Sequence, residues 1–194
     1  MKKSLLLTLF TVLLSTAALN AQQTVLYNED FSSGTIPGTY TLYNVDGRTP
    51  DPGLAAVTAN YTQWGTNAWI PLIYQDDTAV ASTSWYTPAG AANDWLVTPA
   101  IALGNAPVLT WDAVTLDGDY PDGYQVVVVT SNTLAALQAA TPALTVAAEL
   151  TTWNTRTLDL SGFAGQTVYI GFRNNSNDKF VLLLDDIKVV NKRG

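Results

Sequence analysis

Short stretches in which apolar residues alternate with polar ones, or run on continuously, cover most of the chain and are punctuated by Gly, Pro, Asn and Asp. Alternation with period two marks a half-buried strand, and a continuous apolar run of similar length marks a strand covered on both faces. On this basis strands are predicted at 24–28, 39–44, 69–74, 78–84, 95–98, 108–115, 124–131, 155–160, 167–173 and 180–190. Spacings of about ten residues or somewhat more, with turn residues between, predict an antiparallel β-sandwich. The Val-rich run after Gln125 is apolar on both faces and predicts a central strand, whereas Val168, Ile170 and Phe172 share one face of a cleanly alternating strand. One segment departs from the pattern. Residues 132–140, rich in Ala and Leu, start at a capping residue and stop before Pro142, so a single short helix packed by Leu134 and Leu137 is expected.

The last strand contains an irregularity. In Phe180-Val-Leu-Leu-Leu-Asp-Asp-Ile-Lys-Val-Val190 two carboxylates interrupt an apolar run. Strict alternation puts Asp185 on one face with Leu183, Ile187 and Val189. That face should be buried, and a buried carboxylate is costly unless it is paired or bound to a cation. Glu29 and Asp30 close the first strand, and first and last strands of a sandwich commonly lie side by side. A calcium cage in which Glu29 and Asp30 meet Asp185 and Asp186 is therefore expected, with Glu29, Asp185 and Asp186 as the best ligands, since calcium takes carboxylate and carbonyl oxygens. The loops around Asp46 and around Asp117, Asp119 and Asp122 are acidic too. Turns rich in Asp-Gly explain them without a metal, although Asp46 and Asp122 stand as further candidate ligands.

The N-terminus has two lysines, an apolar core from Leu5 to Leu14 and small residues up to Ala21. This is the layout of a secretory signal peptide, and the apolar core is shorter than the roughly 20 residues that span a bilayer. Cleavage after Ala21 would leave one domain, residues 22–194, secreted, periplasmic or held at the cell surface. Without Lys2 and Lys3, seven basic residues face sixteen acidic ones, a net charge of −9. Such a chain repels nucleic acid and anionic lipid. The sequence contains no His and no Cys, which excludes Ser-His-Asp and Cys-His catalysis and His-based zinc sites. Paired-carboxylate hydrolysis remains open, as in a small carbohydrate-active hydrolase, but the many Asp residues select no pair. Among the aromatic residues between 61 and 86, Trp64 lies in a polar loop. With Tyr61 it is the candidate for an exposed platform on which a sugar ring stacks; Trp69 and Trp85 read as core.

Several segments together resemble the cleaved-adhesin, or choice-of-anchor J, domains of bacterial cell-surface proteins. They are Glu29-Asp-Phe-Ser-Ser-Gly with Pro37, Asn93-Asp-Trp-Leu-Val-Thr-Pro-Ala-Ile101 and Tyr120-Pro-Asp-Gly-Tyr-Gln-Val-Val-Val-Val-Thr-Ser131. They continue with Trp153-Asn-Thr-Arg-Thr-Leu-Asp-Leu160, Gly165-Gln-Thr-Val-Tyr-Ile-Gly-Phe-Arg173 and Asn177-Asp-Lys-Phe-Val-Leu-Leu-Leu-Asp-Asp-Ile187. The resemblance implies an all-β jelly-roll sandwich with structural calcium, related to MAM-like and carbohydrate-binding modules. It implies a non-catalytic adhesion role toward a glycan or a cell-surface protein; a subunit that assembles with itself or with a larger surface protein is a separate alternative. The family's acidic positions fall on Glu29, Asp46, Asp122, Asp185 and Asp186. Two positions depart from the pattern: Ser32 stands where an acid commonly follows the Phe, and the Asp-Gly-Asp-Gly loop is reduced to Asp46-Gly47-Arg48.

Overall fold

The computed structural model describes residues 23–56, 61–65 and 67–192; the predicted leader, residues 1–21, lies outside them. In chain order the strands are β1 (Thr24–Glu29), β2 (Thr41–Asn44), β3 (Ile70–Tyr74), β4 (Asp77–Thr83), β5 (Asp94–Val97) and β6 (Ile101–Ala102). They continue as β7 (Pro107–Thr115), β8 (Tyr124–Val129), β9 (Leu144–Val146), β10 (Asn154–Asp159), β11 (Thr167–Asn174) and β12 (Val181–Asn191). One six-stranded sheet runs β10-β7-β12-β4-β3 with β1 beside β12, and the other runs β2-β5-β11-β8-β9 with β6 beside β11. Every pairing is antiparallel. The all-β sandwich expected from the periodicity is the observed architecture.

The alternating positions explain how the two sheets close on one another. Leu109 and Trp111 from β7, Val126 and Val128 from β8, and Ile170 and Phe172 from β11 all point into the shared core. Trp111 packs edge-on to Phe172, with ring centroids 5.5 Å apart. Burying one such side chain contributes about 1.5–3 kcal/mol, so this layer is the main source of stability in a chain without disulfides. The intervening valines of β8 face outward, where Val127 and Val129 meet Trp95, Val97 and Leu137. This is why the Val run is apolar on both sides. Leu137 belongs to α2 (Leu134–Ala139), which is capped by Thr133 rather than by Asn132: the Thr133 Oγ1 accepts from the Ala136 N–H at 3.3 Å. Gly171 in β11 faces the same helix, and a β-carbon there would stand 2.8 Å from Leu137 Cδ2.

The outer face of the first sheet is covered too. Leu54, Trp64, Ile70, Leu72, Ala81 and Leu183 form a second apolar cluster there, with Trp85, Trp153 and Phe180 at its margin. Residues Pro52–Ala56 form a 3₁₀ turn and Tyr61–Trp64 a single helical turn, α1. The two shortest strands, β6 and β9, escape the sequence reading because two or three residues hold too little periodicity to register.

Candidate functional site

β12 is long enough to pair with β4 along its first half and with β1 along its second, on the same edge. Its pairing with β7 slips between Asp185 and Lys188, and Asp186 adopts a left-handed backbone with φ 49°. That is a β-bulge, and it reverses the alternation. Leu182 and Leu184 point into the shared core before it, Ile187 and Val189 point there after it, and Asp185 is left on the outer face with Leu183. The expectation that Asp185 shares a face with Ile187 and Val189 is thereby corrected, because one extra residue shifts the phase of everything beyond it. Asp185 is still well covered, at 6 % exposure. It accepts from the Asp186 N–H at 2.7 Å and stands directly opposite Asp112 of β7.

Asp77, Asp112, Asp185 and Asp186 line one hollow of about 280 Å³ with Tyr74, Gln75 and Trp153. Burial pushes the Asp185 carboxyl up to about 7, with the charges of Asp186, Asp77 and Asp112 adding to it and the Asp186 N–H opposing. Asp186 is raised for the same chief reason, with Asp112, Asp30 and Asp77 contributing and Lys188 opposing. β1 does lie beside β12, with Glu29 opposite Ile187. Glu29 uses its carboxylate locally, accepting from the Phe31 N–H at 2.9 Å.

Asp46 and Asp122 belong to a different place, at one end of the inter-sheet space. Asp122 is fully buried, and its Oδ1 accepts from Ser84 Oγ at 2.7 Å and from Asn174 Nδ2 at 3.2 Å. Its position depends on Gly123, where a β-carbon would lie 2.4 Å from the carbonyl oxygens of Val146 and Ala147. Asp94, on the inward face of β5 two residues before Leu96, is 4 % exposed and accepts from the Tyr86 hydroxyl at 2.8 Å. Asp46 accepts from the Arg48 N–H at 2.8 Å and from the Asn93 N–H at 2.5 Å. Burial raises the Tyr86 hydroxyl far above the usual range, and the charges of Asp94, Asp46 and Asp122 add to the shift. Two carboxylate oxygens at this end, Asp94 Oδ1 and Asp122 Oδ2, are buried with no hydrogen-bond partner. Burial lifts Asp94 to about 8, with Asp46 adding to the shift and the Tyr86 hydroxyl opposing it. Burial also lifts Asp122 to about 6 against the hydrogen bonds from Ser84 and Asn174 and the weaker pull of the Phe180 backbone and the Ser176 side chain.

The five predicted ligands therefore separate into Glu29, the pair Asp46 and Asp122, and the pair Asp185 and Asp186. Among the described residues no three acidic side chains gather into a ready cage. Asp94 was missed by the sequence reading. The signal was present: period two puts it on the same face as Leu96, so a carboxylate there had to be buried. The aromatic platform is also corrected. Trp64 is 2 % exposed, because the segment coils into α1 and turns the indole onto Leu54 and Leu72, and the Tyr61 side chain lies outside the described residues.

Comparison with known proteins agrees with this architecture. The family model of the Cleaved Adhesin Domain matches residues 23–189. Hemagglutinin A of Porphyromonas gingivalis is 28 % identical over 190 residues; the match takes in 87 % of this chain and 7 % of that much longer protein. The crystal structure of the K1 Cleaved Adhesin domain of Lys-gingipain from P. gingivalis superposes with a TM-score of 0.62 at 23 % identity, covering 87 % of this chain and 98 % of that one. The CBM22-1 xylan-binding domain of Paenibacillus barcinonensis Xyn10C shares the fold at a TM-score of 0.52 and 15 % identity, over 89 % of this chain and 97 % of that one. Matched along nearly all of both sheets, the chain belongs to the Cleaved Adhesin Domain family.

Proposed function

We propose that this chain is a non-catalytic adhesion module, exported through its N-terminal leader, that binds a glycan or a protein at a cell surface and uses calcium as a structural staple. Membership of an adhesin-domain family carries the binding role. The xylan-binding domain with the same fold supports a glycan as one class of ligand. Among the described residues no helix is long and apolar enough to cross a membrane.

The calcium reading rests on the two buried carboxylate oxygens without a partner, Asp94 Oδ1 and Asp122 Oδ2. An uncompensated buried carboxylate is costly, and a hard cation offsets the cost by taking oxygen ligands. Asp94 and Asp122 would hold the ion, with the Asp46 charge close to Asp94. The hollow lined by Asp77, Asp112, Asp185 and Asp186 is a second place where a cation would offset clustered negative charge. A bound cation would keep these acids ionised and so tie β5 to the connection that leads into β8.

The test is a thermal melt of residues 22–194 with excess calcium and again with chelator. A ligand that binds only the folded chain must raise its melting temperature, and a rise of several degrees is expected. An identical melt in both conditions would remove the metal from the proposal. The adhesion role is tested separately, by adherence of the labelled chain to bacterial and host cells. The non-catalytic reading fails if the chain releases reducing sugar from a polysaccharide and single Asp→Asn changes abolish the release.

A further inference from the structure

A cleft of about 370 Å³ opens at the margin of the outer apolar cluster, lined by Trp85, Asp117, Tyr120, Asp178, Lys179 and Phe180. Three connections build it: Trp85 follows β4, Asp117 and Tyr120 lie between β7 and β8, and Asp178 to Phe180 lead into β12. These segments are tied to one another by their backbones. The Phe180 N–H donates to the Tyr120 carbonyl at 3.1 Å, and the Thr83 hydroxyl donates to the Phe180 carbonyl at 2.7 Å. Asp117 Oδ1 accepts from the N–H groups of Asp119 and Tyr120 at 2.8 and 3.3 Å, which fixes the acid and the tyrosine together. The Trp85 and Phe180 rings are tilted by 52° with centroids 5.6 Å apart. The far edge of the indole rests on Gly53, where a β-carbon would come within 2.3 Å of Trp85 Cη2. Tyr120 is 55 % exposed, the most open of the aromatic groups in this cleft.

We propose that this cleft binds an uncharged saccharide, one or two sugar units at the tip of a glycan. The inference rests on the reading of the chain as a binding module and names the class of ligand. The cavity falls within the range of about 300–1,000 Å³ that small-molecule sites occupy. Trp85, Tyr120 and Phe180 offer ring faces to the C–H face of a pyranose. Asp117 and Asp178 accept from sugar hydroxyls and the Lys179 ammonium donates to them, each as a charge-assisted hydrogen bond. The two carboxylates, on a chain of net charge −7, oppose an acidic sugar, and Lys179 offsets part of their pull on a cation. A neutral ring that both donates and accepts satisfies all three groups at once.

The experiment is an NMR titration of the ¹⁵N-labelled chain, residues 22–194, following the indole N–H signals, with Trp85 identified from W85F. The probes are xylotriose, methyl β-D-galactopyranoside, methyl α-D-mannopyranoside and N-acetylglucosamine, with N-acetylneuraminic acid and arginine methyl ester as charged comparisons. At least one neutral sugar is expected to shift the Trp85 signal at millimolar concentration. Y120A, which removes a side chain about half in solvent and so lowers the melting temperature by no more than a few degrees, weakens that sugar by about tenfold, and D117N weakens it as well. The proposal is overturned if no neutral sugar moves the signal, if only the arginine ester does, or if Y120A responds as the wild type does. The same proteins are then tested for adherence to cells. Adherence with no sugar response overturns the cleft and leaves the adhesion role standing; sugar shifts without adherence support the cleft and overturn the adhesion role.

Discussion

Asp122 and Asn174 meet in the buried end of the sandwich, 52 positions apart in the chain, with the Asn174 side-chain amide donating to Asp122 Oδ1 at 3.2 Å. The same amide also donates to Ser82 Oγ at 3.2 Å, so β4, β11 and the connection leading into β8 are joined through one side chain. One oxygen of Asp122 is thus accounted for and the other is not. Asp122→Asn preserves an oxygen acceptor for Ser84 and Asn174 while removing the charge. With chelator present its melting temperature is expected to stay within a few degrees of wild type, and the rise caused by calcium should vanish. A calcium response equal to that of wild type, followed by differential scanning calorimetry, would take Asp122 out of the site.

The raised carboxyls set a direction for the pH dependence of the metal-free chain. An unfolded Asp titrates near 3.9, whereas Asp122 titrates near 6, Asp185 near 7 and Asp94 near 8 in the fold. Between these limits the folded state holds more protons than the unfolded one, so stability falls as pH rises. Each group contributes a slope of at most about 1.4 kcal/mol per pH unit across its window. Urea denaturation in chelator should give a higher midpoint at pH 5 than at pH 8. Calcium should flatten this trend, because a bound cation favours the ionised carboxylates. A metal-free midpoint that climbs from pH 5 to pH 8 would contradict the buried placement of these acids.

Glu149, 4 % exposed, receives a two-pronged contact from Arg156, with Nη2 to Oε1 at 2.6 Å and Nε to Oε2 at 3.1 Å. Tyr124 donates to the same Oε2 at 3.0 Å, and Trp111 Nε1 donates to the Tyr124 hydroxyl at 2.9 Å. This line of polar groups joins the two sheets through the core. Arg156→Met leaves a buried carboxylate without its counter-charge and should cost roughly 3 kcal/mol, measured by urea denaturation at pH 7. The double change Arg156→Met with Glu149→Gln should recover part of the loss. If the single change costs under about 0.5 kcal/mol, in the range of an exposed ion pair, the bridge is not structural.

Gly171 makes room for α2. A β-carbon there would stand 2.8 Å from Leu137 Cδ2, 3.1 Å from Val127 Cγ2 and 3.3 Å from Trp95 Cε3. Gly171→Ala should destabilise by roughly 1–3 kcal/mol through overpacking, and Leu137→Ala in the same chain should relieve part of that cost. Additive losses in a double-mutant cycle would show that the two positions do not touch.

Period-two alternation within β11 is enough to identify that strand and the shared face of Val168, Ile170 and Phe172, the continuous Val run is enough to put β8 inside a sheet, and the Ala/Leu run with its following Pro is enough to locate α2 and its Leu137 anchor. These are local properties, since neighbouring side chains on a strand or helix must point where the backbone directs them. The position of Asp185 was not legible in the same way. Its side depends on a bulge opposite β7, and an inserted residue leaves no mark on the apolar pattern until a partner strand defines the register. Trp64 shows the same limit, because only the approach of Leu54 and Leu72 gives its indole somewhere to go. The separation of Asp46 and Asp122 from Asp185 and Asp186, the pairing of Asp94 with Tyr86, and the cleft shared by Trp85, Tyr120 and Phe180 all arise from contacts between distant segments. Local sequence sets which way a side chain faces; what it meets there is decided by how the two sheets stack and where the loops between them close.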